Sequence, residues 1–261
     1  MRDSLELSSA FLHFAPLMML LAIRVGVTLA LLPAPFGSTT PVQIRMAIGL
    51  FIAWALTLPN MHLTDSFSLN VIALLRGGLG EMLIGMLIGL TVRCVFAATE
   101  IAGTAAGFSM GLGFATSIDP TFGETNLPTS RIFNILAVVI FLVLSGHHVV
   151  LEALQASIVL APPGNTFATF ASGGVLRVST QMITQALRIA APVVATMFIV
   201  QLGTGLASRA APRVQIFAMS FAIATAAGLL TLYIAASSIA TAIGVQIQGL
   251  PYEILRALRG A

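Results

Sequence analysis

The sequence predicts an all-α, polytopic membrane-type protein built of long, partly broken helical hairpins. Of its 261 residues, 57% are hydrophobic and only 8% are charged, against about 25% charged in soluble domains. Mean hydropathy is +1.00, and a chain with so few charges cannot cover a water-facing surface. The apolar stretches run well beyond strand length. They are punctuated by turn clusters such as Pro33-Ala34-Pro35 and Pro162-Pro163-Gly164-Asn165, so they read as helices joined by turns.

Residues 1 to 11 are short and mixed in charge, with Arg2, Asp3 and Glu6. A cleaved leader is not expected. Arg24 interrupts the next apolar run, and Leu32-Pro33-Ala34 is a poor small-x-small cleavage site. The first long helix is placed at about 12 to 32 by the ~20-residue span rule. Arg24 sits in its middle, where a charge serves function or assembly, or else snorkels to an interface. Pro33, Pro35, Gly37 and Pro41 turn the chain back into a second helix from about 42 to 58, stopped by Pro59. It carries Arg45 in its first turn and the single Trp54 near its far end, where an interfacial aromatic belongs. Residues 60 to 70 form the first polar loop.

The next segment, about 70 to 98, is too long for one plain span. Gly77, Glu81, Gly85, Gly89, Arg93 and Ala97 recur every four residues on one row. Gly85 and Gly89 make a GxxxG pair that admits a close neighbouring backbone. Glu81 and Arg93 on the same stripe are costly facing lipid, so the stripe is expected to face protein. Glu100, Gly103, Gly107 and Gly111 continue at near-helical spacing. Gly111 and Gly113 each cost a helix about 1 kcal/mol relative to alanine, so it should loosen around 109 to 114 and end before Asp119-Pro120. Residues 119 to 130 form a second polar loop.

From about 131 to 160 a further long apolar helix is expected, interrupted by Asn134, His147, His148 and Glu152. His148 and Glu152 are four apart and can pair on one face. Residues 164 to 175, rich in Gly, Ser, Thr and Phe, read as a linker and the best internal boundary. A hairpin of about 176 to 207 and 214 to 243 follows. The tail, 251 to 259, reads as a short interfacial helix.

Several function classes are excluded or weakened at this level. All 12 cations are arginine; a guanidinium tolerates buried, paired sites better than an ammonium, though codon usage explains the bias as simply. A net charge of +3 with no basic run or aromatic-basic interleaving gives no nucleic-acid partner. The single Cys94 rules out a disulfide framework and a cysteine metal site, and reads as a small packing residue. Adjacent His147 and His148 point about 100° apart on a helix and lack the HExxH arrangement, so no metal is expected. No P-loop is present, which removes ATP hydrolysis, and no cofactor is called for. Gly107-Phe108-Ser109-Met110-Gly111 matches G-x-S-x-G. That motif works only between a strand and a helix, so an intramembrane serine protease using Ser109 with His147 or His148 is a weak reading. The serious competitor is a proton- or ion-coupled secondary transporter using Arg24, Glu81, Arg93, Glu100 and Glu152, although no internal repeat supports it. Residue chemistry alone stops at a channel or transporter component.

Two long blocks go further: LIGLTVRCVFAATEIAGTAAGFSMGLGFATSIDPTFG and SRIFNILAVVIFLVLSGHHVVLEAL. With RVGVTLALLPAPFGSTTPVQIRMAIGL and IAAPVVATMFIVQLGTGLASRAAPRVQIFAMSF, they closely resemble the FliR family of flagellar export-gate proteins, related to SctT-type injectisome proteins. The resemblance covers nearly the whole chain. Gln215 stands where the family commonly has Asn, and FAMSFAIAT at 217 to 225 lacks the usual basic residue. These departures bear on the contacts of the last hairpin.

The resemblance implies a non-enzymatic gate component in the bacterial inner membrane, at the flagellar basal body. It would be packed with several copies of FliP and FliQ in a helical hetero-oligomeric channel, beside FlhA and FlhB, that passes unfolded substrates. Residues 1 to 163 would then be FliP-like, 164 to 175 the linker, and 176 to 261 a FliQ-like hairpin and tail. The family places a plug loop at the block matching 106 to 122. Here Phe108, Met110, Leu112 and Phe114 suit a dewetting seal, Gly107, Gly111 and Gly113 suit displacement, and Asp119-Pro120 marks the return. Ordinary interhelical packing is the competing role for those apolar residues. Glu81, Arg93 and Glu100 are expected to serve assembly through buried pairs rather than proton transfer, with Arg24 and Glu152 as further buried assembly charges.

Overall fold

Every regular element of the computed structural model is helical among the described residues, 2–33, 40–66, 71–113, 127–164, 172–210 and 216–259. Helix α1 spans Arg2–Leu31, α2 Val42–Thr57, α3 Val71–Ser109, α4 Pro128–Val143, α5 Gly146–Leu160, α6 Ser172–Ala210 and α7 Ile216–Arg259, with a 3-10 segment at Leu58–Ser66. Among the described residues, five helices are long and apolar enough to cross a membrane, or up to six spans if α4 and α5 count as one broken span. The chain divides into two compact units: residues 1–94, 145–179 and 249–261 in the first, 95–144 and 180–248 in the second.

In the first unit, α1 buries a row at helical spacing, Leu17, Leu21, Arg24, Thr28, against α3. The α3 glycines make the close approach. A Cβ on Gly89 would lie 2.8 Å from the Leu31 Cβ and 3.1 Å from the Thr28 carbonyl oxygen. One on Gly85 would strike the Arg24 carbonyl oxygen. The expected small-residue stripe therefore faces protein through Gly77, Glu81, Gly85 and Gly89. Helix α2 buries only the narrow row Gly49, Ala53 and Thr57. Its Met46, Phe51 and Trp54 stay outward. Pro59 ends it as expected, and Asn60 leaves helical geometry while its side chain donates to the Leu56 carbonyl.

In the second unit, the C-terminal half of α3 packs on the start of α4 through glycine again. A Cβ on Gly103 would sit 2.6 Å from the Ser130 Cα. Phe96 and Phe141 meet edge to face with centroids 5.4 Å apart. Helices α6 and α7 each bury one stripe, Ala186, Ile189 and Val193 on the first and Ile239, Ile243 and Ile247 on the second. Phe198, Leu206, Leu230 and Tyr233 stand exposed on the same two helices.

Two expectations need correction. The helix foreseen over 131 to 160 is broken: Ser145 adopts a left-handed conformation (φ 54°, ψ 34°), so α4 stops at Val143 and α5 starts at Gly146. The tail is not a separate interfacial helix. It continues α7 to Arg259 through Pro251, and its Leu250, Ile254 and Leu258 are buried against protein. A proline inside a helix removes one backbone bond, but neighbouring packing holds the helix together, as membrane-type helices allow.

Candidate functional site

Two places concentrate what polar chemistry this apolar chain has. The first is a buried charge centre in the first unit, built on Arg24 of α1 and Glu81 of α3. Arg24 is 1% exposed and Glu81 is fully buried. Arg24 Nε donates to Glu81 Oε2 at 2.5 Å, Nη1 to Ser157 Oγ at 2.8 Å and Nη2 to the Ala161 carbonyl at 2.9 Å. The other carboxylate oxygen accepts from the Gly164 amide at 3.3 Å. Ser157 Oγ in turn donates to the Leu154 carbonyl. Thr28 Oγ1, one turn after Arg24, reaches both the Arg24 and Gly85 carbonyls. Each guanidinium nitrogen is therefore bonded and both carboxylate oxygens are engaged. Opposite charges taken out of water persist only under such complete satisfaction.

This arrangement ties α1, α3, the C-terminal end of α5 and the turn at Ala161 to Gly164 into one knot. Glu81 bonds Arg24 from another helix, while Arg93, on Glu81's own stripe, is exposed. Glu152 is exposed and Glu100 half-buried. His148 forms no ion pair with Glu152; its ring lies beside His147 at 4.3 Å between centroids. Ser157 was not anticipated. Its only sequence signal is a hydroxyl on an otherwise apolar face, which helices tolerate without consequence.

The second place is the C-terminal end of α3, in the second unit. The helix runs unbroken to Ser109 and then turns at Met110 and Gly111, where Gly111 has φ +81°. Of the loosening expected at 109 to 114, the described residues show a turn at Met110 and Gly111. Phe108 is 62% exposed, and Gly113 folds back beneath its ring. Leu112 is half-buried. Met110 is fully buried, seated on Gly228 of α7. Gly107 packs on Thr129 and Leu127. Phe114, Asp119 and Pro120 lie outside the described residues, as do Gln215 and 165 to 171 of the expected linker. Ser109 Oγ donates to the Ala106 carbonyl of its own helix at 2.7 Å, and it stands at a helix end rather than a strand-to-helix elbow. The serine-protease reading loses its structural context here.

A polytopic helical membrane protein is thus defined, with a buried Arg24–Glu81 ion pair and an apolar break at Gly111 in mid-chain. The family of bacterial export proteins, family 1, matches residues 15–250, and the chain belongs to it. It is 31% identical over 203 residues to the flagellar biosynthetic protein FliR of Pectobacterium carotovorum subsp. carotovorum, covering 76% of this chain and 77% of that one. To FliR of Escherichia coli (strain K12) it is 28% identical over 225 residues, covering 84% and 81%. To the surface presentation of antigens protein SpaR of Shigella flexneri it is 26% identical over 159 residues, covering 61% and 62%. The resemblance to FliR and to its injectisome counterpart holds. The chain is a membrane component of a flagellar export apparatus, and not an enzyme.

Proposed function

We propose that the chain is the FliR-type subunit of a type III flagellar export gate, closing the channel with residues 106 to 122, from the end of α3 onward. It assembles with several copies of FliP and FliQ in the bacterial inner membrane, at the basal body, beside FlhA and FlhB. Unfolded export substrates pass through the channel. Residues 1 to 163 take the FliP-like role, 164 to 175 the linker, and 176 to 261 the FliQ-like hairpin and tail. The uncovered apolar faces of α2, α6 and α7 suit burial against such neighbours or lipid.

One observation carries the plug reading. An exposed phenylalanine, Phe108, stands beside a break whose Gly111 adopts a backbone that other residues rarely take. An apolar ring at a constriction excludes water and so stops ions, while a glycine hinge lets the ring move aside for a chain. Met110, buried by its own chain, anchors this segment rather than facing a lumen. Phe108 and Leu112, with Phe114, form the seal. Glu81 and Arg24, the best placed carriers for a proton-coupled transporter, are occupied by one another, which favours the gate. Arg93, Glu100 and Glu152, solvent-facing or half-buried in the chain alone, serve contacts with other subunits.

The test is to replace Phe108 and Leu112 by serine, or to delete 107–113, in cells expressing the gate. Small-ion leakage is measured alongside recovery of the complex. Increased leakage from an intact complex is expected. Unchanged leakage from an intact complex refutes the plug.

A further inference from the structure

We propose that Gln201, Thr225 and Gly228 are positioning residues that latch the segment 107–113 in its closed place; the proposal rests on the plug reading above and adds how the plug is held. A helix ends with carbonyls that have no partner within it. At the end of α3, Ala106 O accepts from the Met110 amide at 3.1 Å and Phe108 O from the Gly111 amide at 3.0 Å. The next two carbonyls are met from other helices. Ser109 O accepts from Gln201 Nε2 of α6 at 2.8 Å, and Met110 O accepts from Thr225 Oγ1 of α7 at 3.4 Å.

The side chains follow the same plan. Met110 is seated on Gly228, where any Cβ would collide with its thioether chain. The Phe221 ring covers Gly111: a Cβ there would meet Phe221 Cδ2 at 3.3 Å. Phe221, Thr225 and Gly228 lie at i, i+4 and i+7, one face of α7. That face therefore presents a ring, a hydroxyl and a hollow in register with Gly111, the Met110 carbonyl and the Met110 side chain. These are weak and separable holds: one long and one short hydrogen bond, and one knob in a hole. Such holds keep a segment in place at rest and yield to a chain pushing through. The arrangement explains a glutamine on an exposed position of the apolar α6, where a polar side chain has no packing role.

The experiment uses the complete gate in cells, with assembly measured by recovery of the complex. Gln201→Leu and Thr225→Val each leave a helix-end carbonyl without its partner. Loss of one hydrogen bond shifts a two-state equilibrium about five-fold, so ion leakage should rise by up to that factor while the complex and export persist. Gly228→Leu fills the Met110 hollow and should leak more. A merely structural role would lower the amount of complex without raising leakage per complex. If deletion of 107–113 leaks but all three variants assemble and do not, the latch is wrong and the plug stands. If the deletion itself does not leak, plug and latch fall together.

Should the substitutions prevent assembly, Met110→Cys with Gly228→Cys in a Cys94→Ala background gives an independent reading. A Cβ on Gly228 would lie against Met110 Cγ, one bond from the Met110 Cβ, which brings the pair within reach of a disulfide, whose Cβ atoms lie about 3.5 to 4.5 Å apart. A mild oxidant should cross-link them and stop export, and a reductant should restore it. Failure to cross-link, or export that continues through the cross-linked gate, overturns the proposal.

Discussion

Replacing Glu81 by leucine strands the Arg24 guanidinium in a place that is 1% exposed. Removing one partner of a buried pair costs about 3–5 kcal/mol, because the remaining charge keeps its desolvation and loses its compensation. The Gly164 amide also loses its acceptor, a smaller loss of about 1–3 kcal/mol. Adding Arg24→Met removes the stranded charge. It leaves the Ala161 carbonyl without its 2.9 Å donor, again about 1–3 kcal/mol, while Ser157 Oγ loses the Arg24 donor but keeps its own bond to Leu154. The Gly164 loss is common to both variants and cancels. The double variant should therefore be more stable than Glu81→Leu alone by about 2 kcal/mol, although it carries one more change. The assay is the thermal midpoint of detergent-purified complex, with chain abundance in membranes as a second reading. A double variant no better than the sum of its parts would mean that Arg24 and Glu81 are not energetically coupled, and the buried knot would lose its structural role.

Other outcomes follow from single positions. Gly85→Ala drives a methyl into the Arg24 backbone and should cut membrane levels of the chain, since overpacking costs about 1–3 kcal/mol; Gly26→Ala, with nothing within 4 Å, should be tolerated in the same immunoblot. Gly111→Ala places a side chain at φ +81° and should destabilise the segment by about 1–2 kcal/mol, read as faster proteolysis between α3 and α4. Ser109→Ala removes a bond within its own helix and should leave export unchanged; abolished export from an intact gate would revive a chemical role for Ser109. Glu100→Gln should weaken recovery of the complex before it affects export. A complex of normal yield that no longer secretes would instead point to proton coupling.

Much of the fold was readable because few forces shape it. Apolar length marks membrane-type helices, Pro59 and Gly111 mark stops, and a glycine row marks a face that must meet protein. What escaped reading depends on partners distant in sequence. The stripe carrying Glu81 was readable, but Arg24, 57 positions earlier, is a partner that periodicity on one helix cannot name. Arg93 shares the stripe in register yet ends outside it, because the close packing reaches only as far as Gly89 and Leu31. The break at Ser145 lacks a proline, and Ser-Gly within an apolar run is indistinguishable from membrane helix. Pro251 misled in the opposite direction, since burial of Leu250 and Ile254 outweighs the missing backbone bond. At the C-terminal end of α3, the break at Gly111 was legible, whereas the placement of its apolar side chains was not. Met110 and Phe108 look alike in sequence, and only Gly228, 118 residues on, decides which one is buried.

The central claim is that this chain acts as one subunit of a FliP- and FliQ-containing gate. Affinity purification of the tagged chain from membranes co-expressing FliP and FliQ tests it most directly. The account predicts a single complex containing all three, with FliP and FliQ in several copies. A chain that purifies alone and moves a small solute in liposomes would contradict it.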